Sequence, residues 1–174
     1  MSFQNILTNA ISGVIILSTK PFKLGDYIEG AGTAGVVKDI GIIRTVLTTP
    51  DNKEVMIPNA DITSSTIVNY AIEPKRRVDM KFSASYDSDI DFVKESILEI
   101  LQSDSRVYED DSFKPFVRVS AYNSNDIEYT VRAWVDNANY WDVYFDTTEE
   151  VSRVFKKKGI EFSYPHTVVH MAKD

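Results

Sequence analysis

The chain has 174 residues, 43% hydrophobic and 26% charged, with a formal net charge of −7 and no cysteine. This composition suits one ordinary or two small globular domains, and it excludes disulfide frameworks, zinc–thiolate centres and thiol nucleophiles. There are 8 basic and 7 acidic residues up to Val78, but 11 basic and 19 acidic from Asp79 on; the acidic half argues against nucleic acid as a partner, and the change of sign marks a boundary near Pro74–Asp79.

The first predicted element is a helix over Phe3–Thr19. Phe3, Ile6, Leu7, Ala10, Ile11, Val14, Ile15 and Leu17 share an apolar side, opposite Asn5, Thr8, Asn9 and Ser12. The stretch is too short and interrupted for a lone membrane span, which takes about 20 apolar residues. No basic segment precedes it, so it does not read as a signal peptide. It is an amphipathic helix with nothing upstream to pack against. Lys20-Pro21 ends it, since proline disfavours helical geometry in the residue before it.

Short strands follow: Asp26–Glu29, a β-branched run over Val36–Thr49, Glu54–Ile57 after the turn Pro50–Lys53, and Ser65–Tyr70. So many short strands and turns predict a small β-barrel or sandwich. Within this region Gly30–Gly35 reads GAGTAG, which fits the dinucleotide-binding template. That template requires a helix to start at its last glycine. The β-branched residues after Gly35 deny it, so the glycines read as a hairpin turn.

The second half has another rhythm. A strand over Val78–Tyr86 precedes a helix capped by Ser88 or Asp89 and running to Gln102, with Ile90, Val93, Ile97, Leu98 and Leu101 on one face. Two strands then flank the turn Asn123–Asp126, and a helix over Tyr140–Lys158 ends in basic residues and Gly159. Ile160–Pro165 reads as a last strand. The order β-α-β-β-α-β is that of a ferredoxin-like sandwich. The tail after Pro165 has no partner left in it.

No catalytic constellation is found, and no cofactor site is read. His166 and His170, four apart, lie about 13 Å apart on an extended tail, too far to share a metal. The acidic runs Tyr86–Asp91 and Glu109–Ser112 lack the spacing of a calcium loop, and the first reads as a helix cap. The basic run Pro74–Arg77 reads as solvent-facing or salt-bridged. Phe82, Tyr86, Phe116 and Tyr122 read as core rather than as an RNA-stacking platform.

From Gln4 to Glu29 the chain closely resembles the segment where the last membrane helix of the small-conductance mechanosensitive channel family runs into its cytoplasmic domain. The matching residues are Gln4, Leu7, Thr8, Asn9, Gly13, Lys20, Pro21, Phe22, Gly25 and Asp26. The resemblance continues through Ile57-Pro58-Asn59, Glu73-Pro74, Arg76-Arg77, YDSDID, RAWV and GIEFSYP, and covers essentially the whole chain. The chain departs from the family at Asn5, where a kink glycine is often found.

The resemblance implies a mainly β plus α+β architecture. Residues 1–20 would be the lower part of a pore helix, 21–73 an Sm-like β-domain, 74–165 the ferredoxin-like domain and 166–174 a strand of an oligomeric barrel. It implies no enzyme. Instead it implies the vestibule of a channel opened by membrane tension in hypo-osmotic shock, with small ions, itself (as a homoheptamer) and membrane lipid through upstream helices as partners, and no nucleic acid. Gln4, Asn5, Asn9 and Gly13 would form the hinge and pore mouth. Pro21, Phe22, Gly25 and Asp26 would fix the join to the β-domain, Pro58, Asn59, Arg76 and Arg77 a domain junction, and Thr167, Val168, Val169, His170 and Met171 the barrel strand. The rival reading is a soluble Sm-like and ferredoxin-like module that binds RNA or protein.

Overall fold

The structure, a computed structural model, describes residues 3–164. It divides into two compact units, one up to Pro74 and one from Lys75 on.

The first unit opens with helix α1 (Phe3–Thr19), followed by strands β1 (Tyr27–Gly30), β2 (Thr33–Ile40), β3 (Arg44–Thr48) and β4 (Glu54–Pro58), the short helix α2 (Asn59–Ser64) and strand β5 (Val68–Asn69). The sheet order is β4-β3-β2-β1-β5, antiparallel throughout. The expected barrel is an open sheet, with β4 and β5 as its two edges. The strand expected over 65–70 supplies only the two residues of β5, too few to close a ladder.

The apolar side chains Ile16, Phe22, Ile28, Val37, Leu47, Ile57 and Ile62 form its core. The GAGTAG segment is a two-residue hairpin turn. Gly30 pairs with Thr33, and Ala31 and Gly32 between them have φ of 50° and 73°. Two consecutive positive φ values make the turn whose twist matches a β-hairpin. Strand β2 runs on through Gly35, where a Cβ would meet the Thr48 carbonyl oxygen at 2.7 Å. No helix starts there, so the dinucleotide geometry is absent from this segment.

The second unit contains β6 (Lys75–Ser85), α3 (Ile90–Ser103), β7 (Phe116–Tyr122), β8 (Asp126–Asp136), one 3-10 turn at Asn137–Asn139 and α4 (Tyr140–Lys158). The order β6-β8-β7 puts β8 between the two strands that α3 connects, the split arrangement of a ferredoxin-like sandwich. Asp89 caps α3 by accepting a hydrogen bond from the Phe92 amide at 2.8 Å, and Gly159 ends α4 in the left-handed conformation at φ 71°. Alternate residues of β8, from Ile127 to Val135, are buried together with Val93, Ile97, Leu101, Val151 and Phe155.

Among the described residues 160–164 the last predicted strand is not formed. They meet the sheet through one backbone bond, Ser85 N–H to Glu161 O at 2.9 Å, at the free edge of β6 where a fourth strand would lie, and one side-chain bond, Ser163 Oγ to Asp126 Oδ2 at 3.3 Å.

Arg106 joins the end of α3 to α4. Its guanidinium holds Asp104 through paired bonds at 2.9 and 2.7 Å and reaches Asp146 at 2.7 Å. Hydrogen bonding to Arg106 lowers the Asp104 pKa below its ordinary 3.8. A lowered carboxylate pKa adds stability that is present above 3.8 and lost as pH falls through the folded value. The second unit is therefore expected to weaken below pH 3.8, and Arg106→Met to flatten that acid limb in urea titrations at successive pH values.

Candidate functional site

α1 is inside out for a helix of a water-soluble body. Its buried residues are Asn9, Ser12, Gly13 and Ile16. Its exposed face carries Phe3, Ile6, Leu7, Ile11, Val14, Ile15 and Leu17, with Phe3 81% and Val14 61% accessible. The small and polar stripe packs on α2 and the β2–β3 turn, while the apolar stripe is left exposed. A contiguous apolar face of this width marks a surface that meets another protein or a membrane.

Small residues bring the helix close, and polar bonds then fix it. Asn9 Oδ1 accepts from the Ala60 amide at 2.9 Å, and its Nδ2 donates to the Asn5 carbonyl one turn back at 2.9 Å. The Thr63 hydroxyl donates to Ser12 Oγ at 3.1 Å. Gly13 lies directly against the β2–β3 turn: a Cβ there would stand 2.1 Å from the Ile42 carbonyl oxygen and 2.5 Å from Asn59 Nδ2.

Asn59 is the hub beneath this contact and is fully buried. Its Nδ2 donates to the Gly41 and Ile42 carbonyls at 2.9 and 2.8 Å, its Oδ1 accepts from the Thr45 hydroxyl at 2.9 Å, and its amide donates to Ile43 O at 3.0 Å. The turn that receives Gly13 is thus shaped by one side chain on the first residue of α2. Beside it opens a groove of about 660 Å³ floored by Ile42, Ile43, Met56 and Pro58.

The join after α1 is tied by Asp26. Its carboxylate accepts from the Lys23 amide and from Asn69 Nδ2, both at 2.9 Å, and Asn69 also donates to the Pro21 carbonyl at 3.1 Å. Phe22 is buried in the core, and Gly25, at φ 89°, donates its amide to Val37 O at 2.9 Å. Pro21, Phe22, Gly25 and Asp26 are thus brought together where the chain passes from helix to sheet.

The remaining singled-out residues disperse. Gln4 and Asn5 are exposed at the start of α1. α1 is continuous through Gly13, which is a point of close approach here and not a break. Pro58 and Asn59 lie within the first unit, whereas Arg76 and Arg77 open the second. The basic run is held internally: Lys75 and Arg76 stack on aromatic rings, and Arg77 pairs with Asp79 at 3.0 Å. Tyr86, Phe116 and Tyr122, expected in the core, are 47%, 39% and 66% exposed. Phe116 and Tyr122 are exposed residues of the edge strand β7, Tyr86 follows the end of β6, and the buried aromatic of the sheet is Tyr129. Thr167, Val168, Val169, His170 and Met171, with His166, lie outside the described residues.

Two family profiles match the chain: "Mechanosensitive ion channel, beta-domain" over residues 5–72 and "Mechanosensitive ion channel MscS, C-terminal" over residues 78–162. The small-conductance mechanosensitive channel of Edwardsiella ictaluri is 33% identical over 171 residues, covering 98% of this chain and 59% of that protein. The channel MscMJ of Methanocaldococcus jannaschii is 30% identical over 182 residues, covering 100% of this chain and 50% of that one. The chain therefore spans about half to three-fifths of the length of these relatives. The closed-state crystal structure of Helicobacter pylori MscS superposes with a TM-score of 0.89 at 23% identity, covering 98% of this chain and 67% of that one. Among the described residues no helix is long and apolar enough to cross a membrane. Matched by both profiles in order and by full-span relatives, the chain belongs to the MscS family of mechanosensitive channels, of which it carries the β-domain and the C-terminal domain.

Proposed function

We propose that this chain is the cytoplasmic vestibule of a channel in the bacterial inner membrane that opens under membrane tension during hypo-osmotic shock and passes small ions. In this reading it acts as a homoheptamer, not as an enzyme. Residues 1–20 form the lower end of the pore helix, 21–73 the β-domain and 74–165 the α+β domain.

The observation that carries the reading is the inverted amphipathicity of α1. The face that binds the β-domain is polar and small, and the face turned outward is apolar. Such a helix suits a pore-mouth element that meets lipid or neighbouring helices on one side and rests on its own β-domain on the other. Asn9 and Gly13 then hold the helix to the β-domain, and the bend of the pore helix lies at Gln4 and Asn5, ahead of the docked stripe. Membrane tension acts on the difference between docked and released helix.

Two experiments test this. Native mass spectrometry is expected to find a species near seven times the 19.7 kDa chain. A chimera carrying this chain in place of the matching segment of the Edwardsiella ictaluri channel is expected to give tension-evoked currents in patches and to restore survival of osmotic downshock. A chimera that reaches the membrane but stays silent, together with a monomeric chain, would overturn the reading in favour of the soluble binding module.

A further inference from the structure

The two units are joined through Ala71-Ile72-Glu73-Pro74, all exposed and in no strand or helix. Upstream, the first unit holds Tyr70 by an amide bond to Tyr27 O at 3.0 Å, a hydroxyl bond to Glu29 Oε2 at 3.1 Å and an edge contact with the Tyr27 ring. Downstream, the second unit holds the chain differently. Lys75 Nζ sits 3.8 Å from the centre of the Tyr108 ring and 4.0 Å from that of Phe113. The Arg76 guanidinium lies 3.8 Å from the centre of Tyr140.

These rings are fixed from behind. The Tyr108 hydroxyl donates to Asp136 Oδ1 at 2.7 Å and its amide to Trp134 O at 2.9 Å, while Phe113 meets Trp134 edge-on at 5.1 Å. Asp136 is also the strand partner of Lys75. The α3–β7 connection therefore folds across the start of β6 and presents an aromatic shelf to Lys75, while Tyr140 at the start of α4 receives Arg76.

We propose that Lys75 on Tyr108 and Phe113, and Arg76 on Tyr140, form a two-sided latch that keeps β6 ordered from its first residue. The physical need is plain. β6 is an edge strand whose first residues pair only with β8. A strand end tied to a linker is where ladder bonds open one at a time. Any pull along the chain from the first unit arrives at this end. A cation over a ring holds it with no further backbone bond, and two such contacts on successive residues pin both faces of the strand. Pro74 fixes φ just before the latch, so the strand is entered from a restrained residue. This inference does not depend on the channel reading.

Amide hydrogen exchange on the whole chain tests it. Lys75→Met keeps the length and apolar stem of the side chain and removes its charge. It is expected to speed exchange of the Arg76 and Val78 amides, which face β8, about tenfold, while the Phe82 and Ala84 amides in the same strand keep their protection. Tyr108→Phe keeps the ring and loses the bond to Asp136, and is expected to leave the Arg76 and Val78 amides near their original rates. Unchanged exchange in Lys75→Met would overturn the latch. So would a Tyr108→Phe effect as large as that of Lys75→Met, because the hydroxyl bond would then hold the strand end. Loss of protection at Phe82 and Ala84 as well would also overturn it, since the charge would then support the whole sheet and not its first residues.

Discussion

Gly13→Ala is expected to release α1 from the first unit. The added methyl would lie 2.1 Å from the Ile42 carbonyl oxygen and 2.5 Å from Asn59 Nδ2. Neither neighbour can yield cheaply, because Ile42 O is backbone and Asn59 is held by three other groups. Overpacking in a close contact costs about 1–3 kcal/mol, and a clash with fixed backbone belongs at the upper end. Alanine favours helix over glycine by about 1 kcal/mol, so α1 itself stays helical while its docking fails. In hydrogen exchange this separates clearly: the amides around Ala60 and in the β2–β3 turn lose protection, and β1 and β2 do not. If those amides keep their protection, the close approach at Gly13 is not what seats the helix.

Asn59→Ala should be the more damaging change for the β-domain. It strands the Thr45 hydroxyl, itself fully buried, and the carbonyls of Gly41 and Ile42. The stranded Thr45 hydroxyl costs about 1–3 kcal/mol, and the Gly41 and Ile42 carbonyls, on residues partly or largely open to water, add less. The sum is a large share of the 5–15 kcal/mol typical of a domain (roughly). Asn59→Asp tests the donor separately. It keeps the acceptor for Thr45 but sets a carboxylate oxygen against two carbonyl oxygens, and it should be at least as harmful. Urea-dependent amide exchange of β3 and β4 reads the first unit, whereas tryptophan and tyrosine emission would read mainly the second, which holds Trp134, Trp141 and seven of the nine tyrosines. Destabilisation below about 1 kcal/mol for both variants would mean that the turn holds its shape without the hub.

The long helices were legible because their signals are redundant. For α3, an Asp89 cap and a 3.6-residue apolar period agree, and for α4 the basic last turn and Gly159 mark the end. What failed was short or set by distant partners. α2 has six residues, too few for a period to register, and it begins at Asn59 only because that side chain finds Gly41, Ile42 and Thr45 across the fold. Ile160–Tyr164 has strand-like residues but makes a single ladder bond, since pairing depends on the neighbour and not on propensity alone.

The site was legible as a set of residues and not as an arrangement. Asn9 and Ser12 sat opposite the apolar stripe, the ordinary position of a solvent-facing residue. That rule presumes an aqueous surround, and α1 reverses it: both are buried and the apolar stripe is exposed. The available clue was the small residues Ser12 and Gly13 on one side of the helix, next to Asn9 one turn away, a pattern of close helix approach. The resemblance to the family supplied Gly25 and Asp26, whose bonds to Val37 and Asn69 no local pattern announces.

The spacing of the docked residues sets a limit on how α1 can move. Asn9, Ser12, Gly13 and Ile16 fall at i, i+3, i+4 and i+7, and Gly13 is the sole glycine of the helix. A slide of one turn, about 5.4 Å, would carry Asn9, Ala10, Ile16 or Leu17 into the slot under Ile42 O, where none fits. A rotation would bring a branched side chain to the same place. The contact works like a key with one cut: the helix is seated or it is out, with no half-engaged register in between. A load along its axis is therefore met first by no yielding and then by release in a single step.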